Sequence, residues 1–378
     1  MTPIYLDHHA TTPCEPQVVQ AMLPYFTEVF GNAASRGHSW GFEAQAAVDL
    51  GRERVAAMIG ASPSEVIFTS GATEANNLAI LGALARQAKR HVITTAIEHR
   101  SVLDPMRELE RRGFSLTVLP VDRDGRVTPE QLKAALRADT ALVSVGLANN
   151  EIGTLQPIAA IGEICREAGV WLHADAAQAS GCISLDVAAL NVDLLSLSAH
   201  KCYGPKGIGA LFVRRRARVS IEPLQYGGGH EKGLRSGTLP VPLIVGFGVA
   251  AELSAKEADS GGARLARLRD ALWEGLAAIG GVHRNSPSIQ VLPHNLNVAF
   301  DGIDAELLLL ELREFGLSTG SACSSANREP SHVLTAIGAP PRQSVRFGLG
   351  RSTTEADIRR VIQRFAEVVP FVRDRDHL

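Results

Sequence analysis

Lys201 ends the run Asp193-Leu194-Leu195-Ser196-Leu197-Ser198-Ala199-His200-Lys201, an apolar strand pattern that finishes on an amine. In open α/β sheets, ligands gather beyond the carboxyl ends of the strands. A lysine partly withdrawn from water there is pushed from a pKa of ~10.4 toward neutrality, giving the free amine that a Schiff base needs. Upstream, His173-Ala174-Asp175-Ala176-Ala177-Gln178 ends a second strand pattern on an acid. A buried carboxylate can keep a pyridine nitrogen protonated, which pyridoxal phosphate requires to act as an electron sink. Alone, Lys201 reads as a surface lysine and Asp175 as a helix cap; together they read as a cofactor site.

The phosphate of such a cofactor needs a cradle, and Phe68-Thr69-Ser70-Gly71-Ala72-Thr73-Glu74 offers strand, small-residue turn and a helix beginning near Thr73. A helix N-terminus presents free amides and the positive end of a dipole, although a plain Thr73 cap fits the same residues. Ser198 and His200 are further candidates for phosphate contacts. Cys323 lies in residues 318–330, a stretch of small and polar residues followed by a helix near Ser331. Most free cysteines are buried and inert, but a thiol on such a loop can travel.

These segments, in this order, resemble the cysteine desulfurases of the class V aminotransferase family, in particular the housekeeping group that supplies sulfur for iron–sulfur clusters. The resemblance is nearly full length. It rests on Tyr5-Leu6-Asp7-His8-His9-Ala10-Thr11-Thr12-Pro13, Phe30-Gly31-Asn32, the 70–74 turn, Ile97-Glu98-His99 and Asn149-Asn150-Glu151-Ile152-Gly153. It continues through the Asp175 and Lys201 segments, residues 227–238 and Gly320-Ser321-Ala322-Cys323.

The resemblance implies roles at matching positions. Lys201 would carry the Schiff base, Asp175 meet the pyridine nitrogen, Gln178 the phenolic oxygen, and His99 stack on the ring and shuttle protons. Asn150 would touch the ring oxygen side and the substrate. Ala72, Thr73, Ser198 and His200 would hold the phosphate with Thr238 of a second subunit, which implies a homodimer. Arg351, in Arg346-Phe347-Gly348-Leu349-Gly350-Arg351, would bind the substrate carboxylate with its planar fork. The implied reaction converts L-cysteine to L-alanine: Lys201 takes the Cα proton and the Cys323 thiolate attacks the substrate sulfur, leaving a persulfide. Iron–sulfur scaffold proteins and sulfur carriers for thiolation would receive that sulfur, by direct hand-off given the long-loop form of residues 318–330. Cys323 would then also be a transient iron–sulfur ligand shared with a scaffold. Competing readings are a selenocysteine lyase or other class V enzyme, and an inactive member serving as a binding platform.

The elements that must position these residues are legible as alternation. Candidate strands at 66–69, 91–95, 115–120, 141–147, 170–175, 194–198 and 209–213 alternate with helical patterns at 74–88, 103–112, 129–138 and 158–168. That order predicts an α/β fold with a mostly parallel seven-stranded sheet; the resemblance adds fold type I, the aspartate aminotransferase-like architecture. A helical stretch at 243–278 is broken at Asp259-Ser260-Gly261-Gly262, which sets the expected domain boundary. The expected domains are a large one over 15–258 and a small α+β one over 1–14 plus 259–378, built on a strand at 295–300 and helices at 305–315 and 354–369. The 336–343 connection is short for the family.

Composition fits an ordinary globular enzyme: 378 residues, 45% hydrophobic and 21% charged, enough for two domains. A formal net charge of −2 gives no global field for nucleic acid or an anionic membrane. The basic run 214–218 is expected to be solvated surface. An odd number of cysteines (Cys14, Cys165, Cys182, Cys202, Cys323) with no Cys-x-x-Cys pair predicts reduced thiols. No signal segment or apolar run of ~20 residues is legible, so the expected location is the cytoplasm.

Overall fold

The computed structural model describes residues 3–215, 219–319 and 330–375. The chain opens on strand β1 (Ile4–Tyr5) and helices α1 (Pro16–Met22), α2 (Pro24–Thr27) and α3 (Ser39–Met58). Next come β2 (Val66–Thr69), α4 (Ala72–Asn77), β3 (His91–Thr95), α5 (Arg100–Arg111), β4 (Ser115–Leu119), α6 (Pro129–Ala135) and β5 (Thr140–Ser144). They are followed by α7 (Ile158–Ala168), β6 (Trp171–Asp175), β7 (Leu194–Ser198), β8 (Gly209–Val213) and the long helix α8 (Val241–Ala277). The last part holds β9 (Val282–Arg284), β10 (Asn295–Phe300), α9 (Ala305–Glu311), β11 (Phe315–Gly316), α10 (His332–Ala336), β12 (Ser344–Gly348) and α11 (Glu355–Arg375).

Strands β2 to β8 form one sheet in the order β2-β8-β7-β6-β5-β3-β4. All run parallel except β8, which is antiparallel to both its neighbours. Helices cover both faces, so β2, β3, β5 and β7 are buried at every position; this is why they read as continuous apolar runs. The parallel direction gathers the carboxyl ends of β2, β3, β5, β6 and β7 on one side of the sheet, and β8 begins there. Gly209 at its start pairs with both Thr69 and Ser198. A Cβ on Gly209 would lie 2.5 Å from the Leu197 carbonyl and 2.6 Å from Gly71 Cα, so only glycine lets the 70–71 turn close against the lysine strand.

The antiparallel sheet β12-β10-β9 and the β1-β11 pair form a second layer. Its core (Leu296, Val298, Phe300, Phe347, Phe365) is distinct from the core beneath the large sheet. The expected break at 259–262 is not there: α8 runs unbroken through Gly261 and Gly262. Each helical glycine costs roughly 1 kcal/mol. That is outweighed because Ile244, Phe247 and Ala250 bury in one core and Leu268, Leu272 and Leu276 in the other. Other helix ends also move: the helix expected from 74 starts at Ala72 and passes into a π-helical turn at Leu78–Gly82, and α5 starts at Arg100. Arg214, expected at the surface, donates to the Val192 carbonyl at 2.7 Å and to Val187. Among the described residues no helix is long and apolar enough to cross a membrane.

Candidate active site

The carboxyl ends of the strands open on one cavity of about 570 Å³. Ala72, Thr73, His99, Asn150, Asp175, Gln178, Ser198, His200 and Lys201 all line it, as expected from the sequence, together with His9, Glu98, Ser101 and Lys206. β6 and β7 are neighbours, with Asp175 paired to Ser196, which places the acid and the lysine on adjacent strand ends.

Asp175 is held on both oxygens. The Ala177 amide donates to Oδ1 at 2.9 Å, and Asn76 Nδ2 donates to Oδ2 at 2.7 Å. The same Asn76 nitrogen donates to Ser101 Oγ at 2.8 Å. Ser101 Oγ therefore spends its own hydrogen on His99 Nδ1, 2.7 Å away, which also accepts from the Ser101 amide at 3.1 Å. Acid and imidazole are thus oriented by one chain of hydrogen bonds through Asn76, which is fully buried.

Lys201 Nζ donates to the carbonyls of His9 and Ala10, the latter at 2.8 Å. His200 Nδ1 lies 3.1 Å from Thr11 Oγ1. Burial, aided by the Lys201 and Lys206 ammoniums, pushes His200 down to about 4, so its imidazole is neutral. Asn149 shapes the turn before Asn150: its Oδ1 accepts from the amides of Glu151 and Ile152, and its Nδ2 donates to the Ile97 carbonyl. Beside His99, Glu98 Oε1 accepts from Thr95 Oγ1 at 2.7 Å, and both its oxygens face the Gly146 amide. Burial nevertheless pushes this carboxyl up to about 7.

These residues fit a pyridoxal phosphate. A carboxylate oriented on both oxygens suits a ring nitrogen. At the other end, a Cβ on Gly71 would meet no atom within 4 Å, so the turn into α4 has open space against its backbone where a phosphate can sit near Ser198, His200 and Lys206.

Two expected residues lie elsewhere. Arg351 lines an adjoining cleft that shares Gln178 and Lys201 with the first. There its guanidinium lies 4.1 Å over the Tyr203 ring, 2.9 Å from the Glu257 carboxylate and 3.0 Å from Ser254 Oγ. Thr238 is exposed and does not line the cavity. Cys323 lies outside the described residues. Sequence reasoning missed His9, Asn76, Glu98 and Ser101 as site residues; His9 and Glu98 stand inside the motifs it singled out, whereas Asn76 and Ser101 carry no local signal.

A fold of this topology with a strand-end lysine and a paired acid defines a class, and residues 4–361 match the family model described as aminotransferase class-V. The chain belongs to that family, and its architecture is the fold type I of pyridoxal-phosphate enzymes. It is 51% identical over 382 residues to a protein of Anaeromyxobacter dehalogenans named cysteine desulfurase IscS, with 100% of this chain and 95% of the relative covered. It is 50% identical over 377 residues to a mitochondrial cysteine desulfurase of Eremothecium gossypii, with 98% and 77% covered. Among solved structures, a NifS-like protein superposes with a TM-score of 0.92 at 36% identity, covering 98% of this chain and 100% of that one. A structure described as SspA in complex with cysteine gives a TM-score of 0.82 at 39% identity, covering 92% and 98%.

Proposed function

We propose that this chain is a pyridoxal-phosphate-dependent cysteine desulfurase that turns L-cysteine into L-alanine and carries the sulfur away on Cys323. The observation that carries the reading is the convergence of Lys201, Asp175 and His99 on one cavity in a chain about half identical to proteins of that name. Bound there, pyridoxal phosphate supplies an electron sink for charge at the substrate Cα. Asp175 holds the ring nitrogen, Gln178 faces the phenolic oxygen, and Ala72, Thr73, Ser198 and His200 take the phosphate. Lys201 would hold the cofactor and move the Cα proton, with His99, oriented by Ser101, assisting. Arg351 exchanges Glu257 for the substrate carboxylate while Asn150 contacts the substrate.

The Cys323 thiolate attacks the substrate sulfur, a sulfur–sulfur bond forms as the carbon–sulfur bond breaks, and the carbon is reprotonated. The sum is L-cysteine plus the Cys323 thiol giving L-alanine plus a Cys323 persulfide, with no outside oxidant. The described thiols support this choice: burial pushes Cys165, Cys182 and Cys202 up to about 12 and raises Cys14 above its ordinary value, so they stay protonated and poorly nucleophilic.

The homodimer belongs to the same proposal. Phe30, Trp40, Phe42 and Tyr226 are exposed, an apolar set that a partner subunit would cover. Arg235 is tied at 2.9 Å to Glu74 in the first turn of α4, and Thr238, exposed three residues further on, would serve the partner's phosphate site. The division into domains 15–258 and 1–14 plus 259–378 is supported by the two separate cores. Delivery to an iron–sulfur scaffold or sulfur carrier, transient cluster ligation by Cys323 and a cytoplasmic location complete the reading; pull-down with a scaffold protein and cell fractionation test them.

The decisive experiment incubates purified protein with labelled L-cysteine and measures alanine together with persulfide on Cys323. Lys201→Ala should lose the visible cofactor band, and Cys323→Ala should keep it while losing the persulfide. Absence of both products from the wild-type protein defeats the reading.

A further inference from the structure

His9 belongs to the N-terminal segment, yet its ring is 1% exposed at the wall of the cavity. Gln178 Nε2 lies 3.0 Å from the His9 backbone carbonyl, and a carbonyl oxygen only accepts. That contact settles which end of the Gln178 amide is nitrogen. Oε1 is therefore the atom 3.0 Å from His9 Nδ1, and this ring nitrogen must carry the hydrogen between them.

The far side of the ring agrees independently. Asn295 Nδ2 lies 3.2 Å from the Glu151 carbonyl and 3.1 Å from His9 Nε2. It must donate to the carbonyl, so nitrogen also faces the ring, and His9 Nε2 accepts. Two acceptor-only carbonyls thus fix one neutral tautomer of His9 by separate routes. The ring is stacked on His294 with centroids 4.3 Å apart. Burial, with His294 and Arg346 nearby, holds His9 well below the usual histidine range, which keeps a second proton off Nε2.

We propose that His9 is a positioning residue that fixes the amide of Gln178, so that one Nε2 hydrogen is committed to the His9 carbonyl and the other serves the cofactor's phenolic oxygen. This rests on the cofactor reading above. It adds that the segment holding Lys201 through the His9 and Ala10 carbonyls also sets the electronics of the ring, by way of Gln178.

A donor to the phenolic oxygen favours its charged form. Losing the donor therefore raises the pH midpoint at which the visible band of the Lys201-bound cofactor titrates. His9→Asn places an amide N–H where Nδ1 stands and should titrate like wild type. His9→Gln places its amide nearer the position of Nε2 and should raise the midpoint by roughly one unit, in the same direction as Gln178→Ala. In the Gln178→Ala background, His9→Gln should add no further shift. If His9→Gln does not accumulate as folded protein, His9→Ser, which relieves crowding and cannot reach Gln178, takes its place with the same expected rise. Wild-type midpoints in both variants, or equal shifts in both, overturn the inference, because packing against His294 alone would not separate Asn from Gln. Loss of the visible band in Lys201→Ala checks the cofactor reading independently of His9.

Discussion

The guanidinium of Arg346, 1% exposed, donates to the Asp7 carboxylate at 2.8 Å and to the Asn150 carbonyl at 2.9 Å. Ser318 Oγ donates to the same Asp7 oxygen at 3.1 Å. One buried cation thus ties the N-terminal segment, the β12 strand and the turn that presents Asn150. Arg346→Ala leaves Asp7 half-buried without its counter-charge, and breaking such a pair from one side costs about 3–5 kcal/mol. Urea denaturation should show a loss of that order; a loss below about 1 kcal/mol, the range of surface pairs, would show that the pair is not structural.

Asn76 bridges Asp175 to Ser101 and His99 without lining the cavity itself. Asn76→Ala removes a hydrogen bond to a charged carboxylate, worth about 1.5–3 kcal/mol. Cofactor affinity, read by titrating the visible band, should fall roughly ten- to a hundredfold. Unchanged affinity would mean that the Ala177 amide alone orients Asp175.

Glu98 makes stability depend on pH. Its carboxyl is raised from 4.5 to about 7 in the folded state, so between those values the folded chain holds a proton that the unfolded chain has lost. Its contribution is present in full below pH 4.5, is lost as pH rises through 7, and is on the order of 3 kcal/mol. Glu98→Gln should flatten the fall in denaturation midpoint across this window. If the slope matches that of wild type, Glu98 is already ionised in the folded protein.

Gly209 sits where the phosphate turn meets the lysine strand. Gly209→Ala forces its methyl against Leu197 and Gly71 backbone at 2.5–2.6 Å, so the turn must retreat. Cofactor affinity should drop while circular dichroism stays near wild type. Equal affinity would show that the turn adjusts without cost.

Strands buried on both faces left continuous apolar runs, which is why the sheet was readable and its strand ends located Lys201 and Asp175. What escaped reading depends on contacts between residues distant in sequence. Asn76 meets Asp175 and His9 meets Gln178 over separations of 99 and 169 residues along the chain, and no local pattern encodes either pairing. Arg351 illustrates a related gap: its motif was legible, but Ser254 and Glu257, which hold its guanidinium, come from α8. The glycines at 261 and 262 read as a break because local propensity cannot weigh the packing at the two ends of that helix.

Because α8 threads both cores as a single helix, neither can melt without stripping half of its packing. The Phe247 end and the Leu272 end are coupled by a continuous ladder of backbone hydrogen bonds, and a helix that loses its tertiary contacts is marginal on its own. The two layers therefore share one fate on heating: calorimetric cooperativity should span the whole chain, and partial unfolding that spares one core should not accumulate.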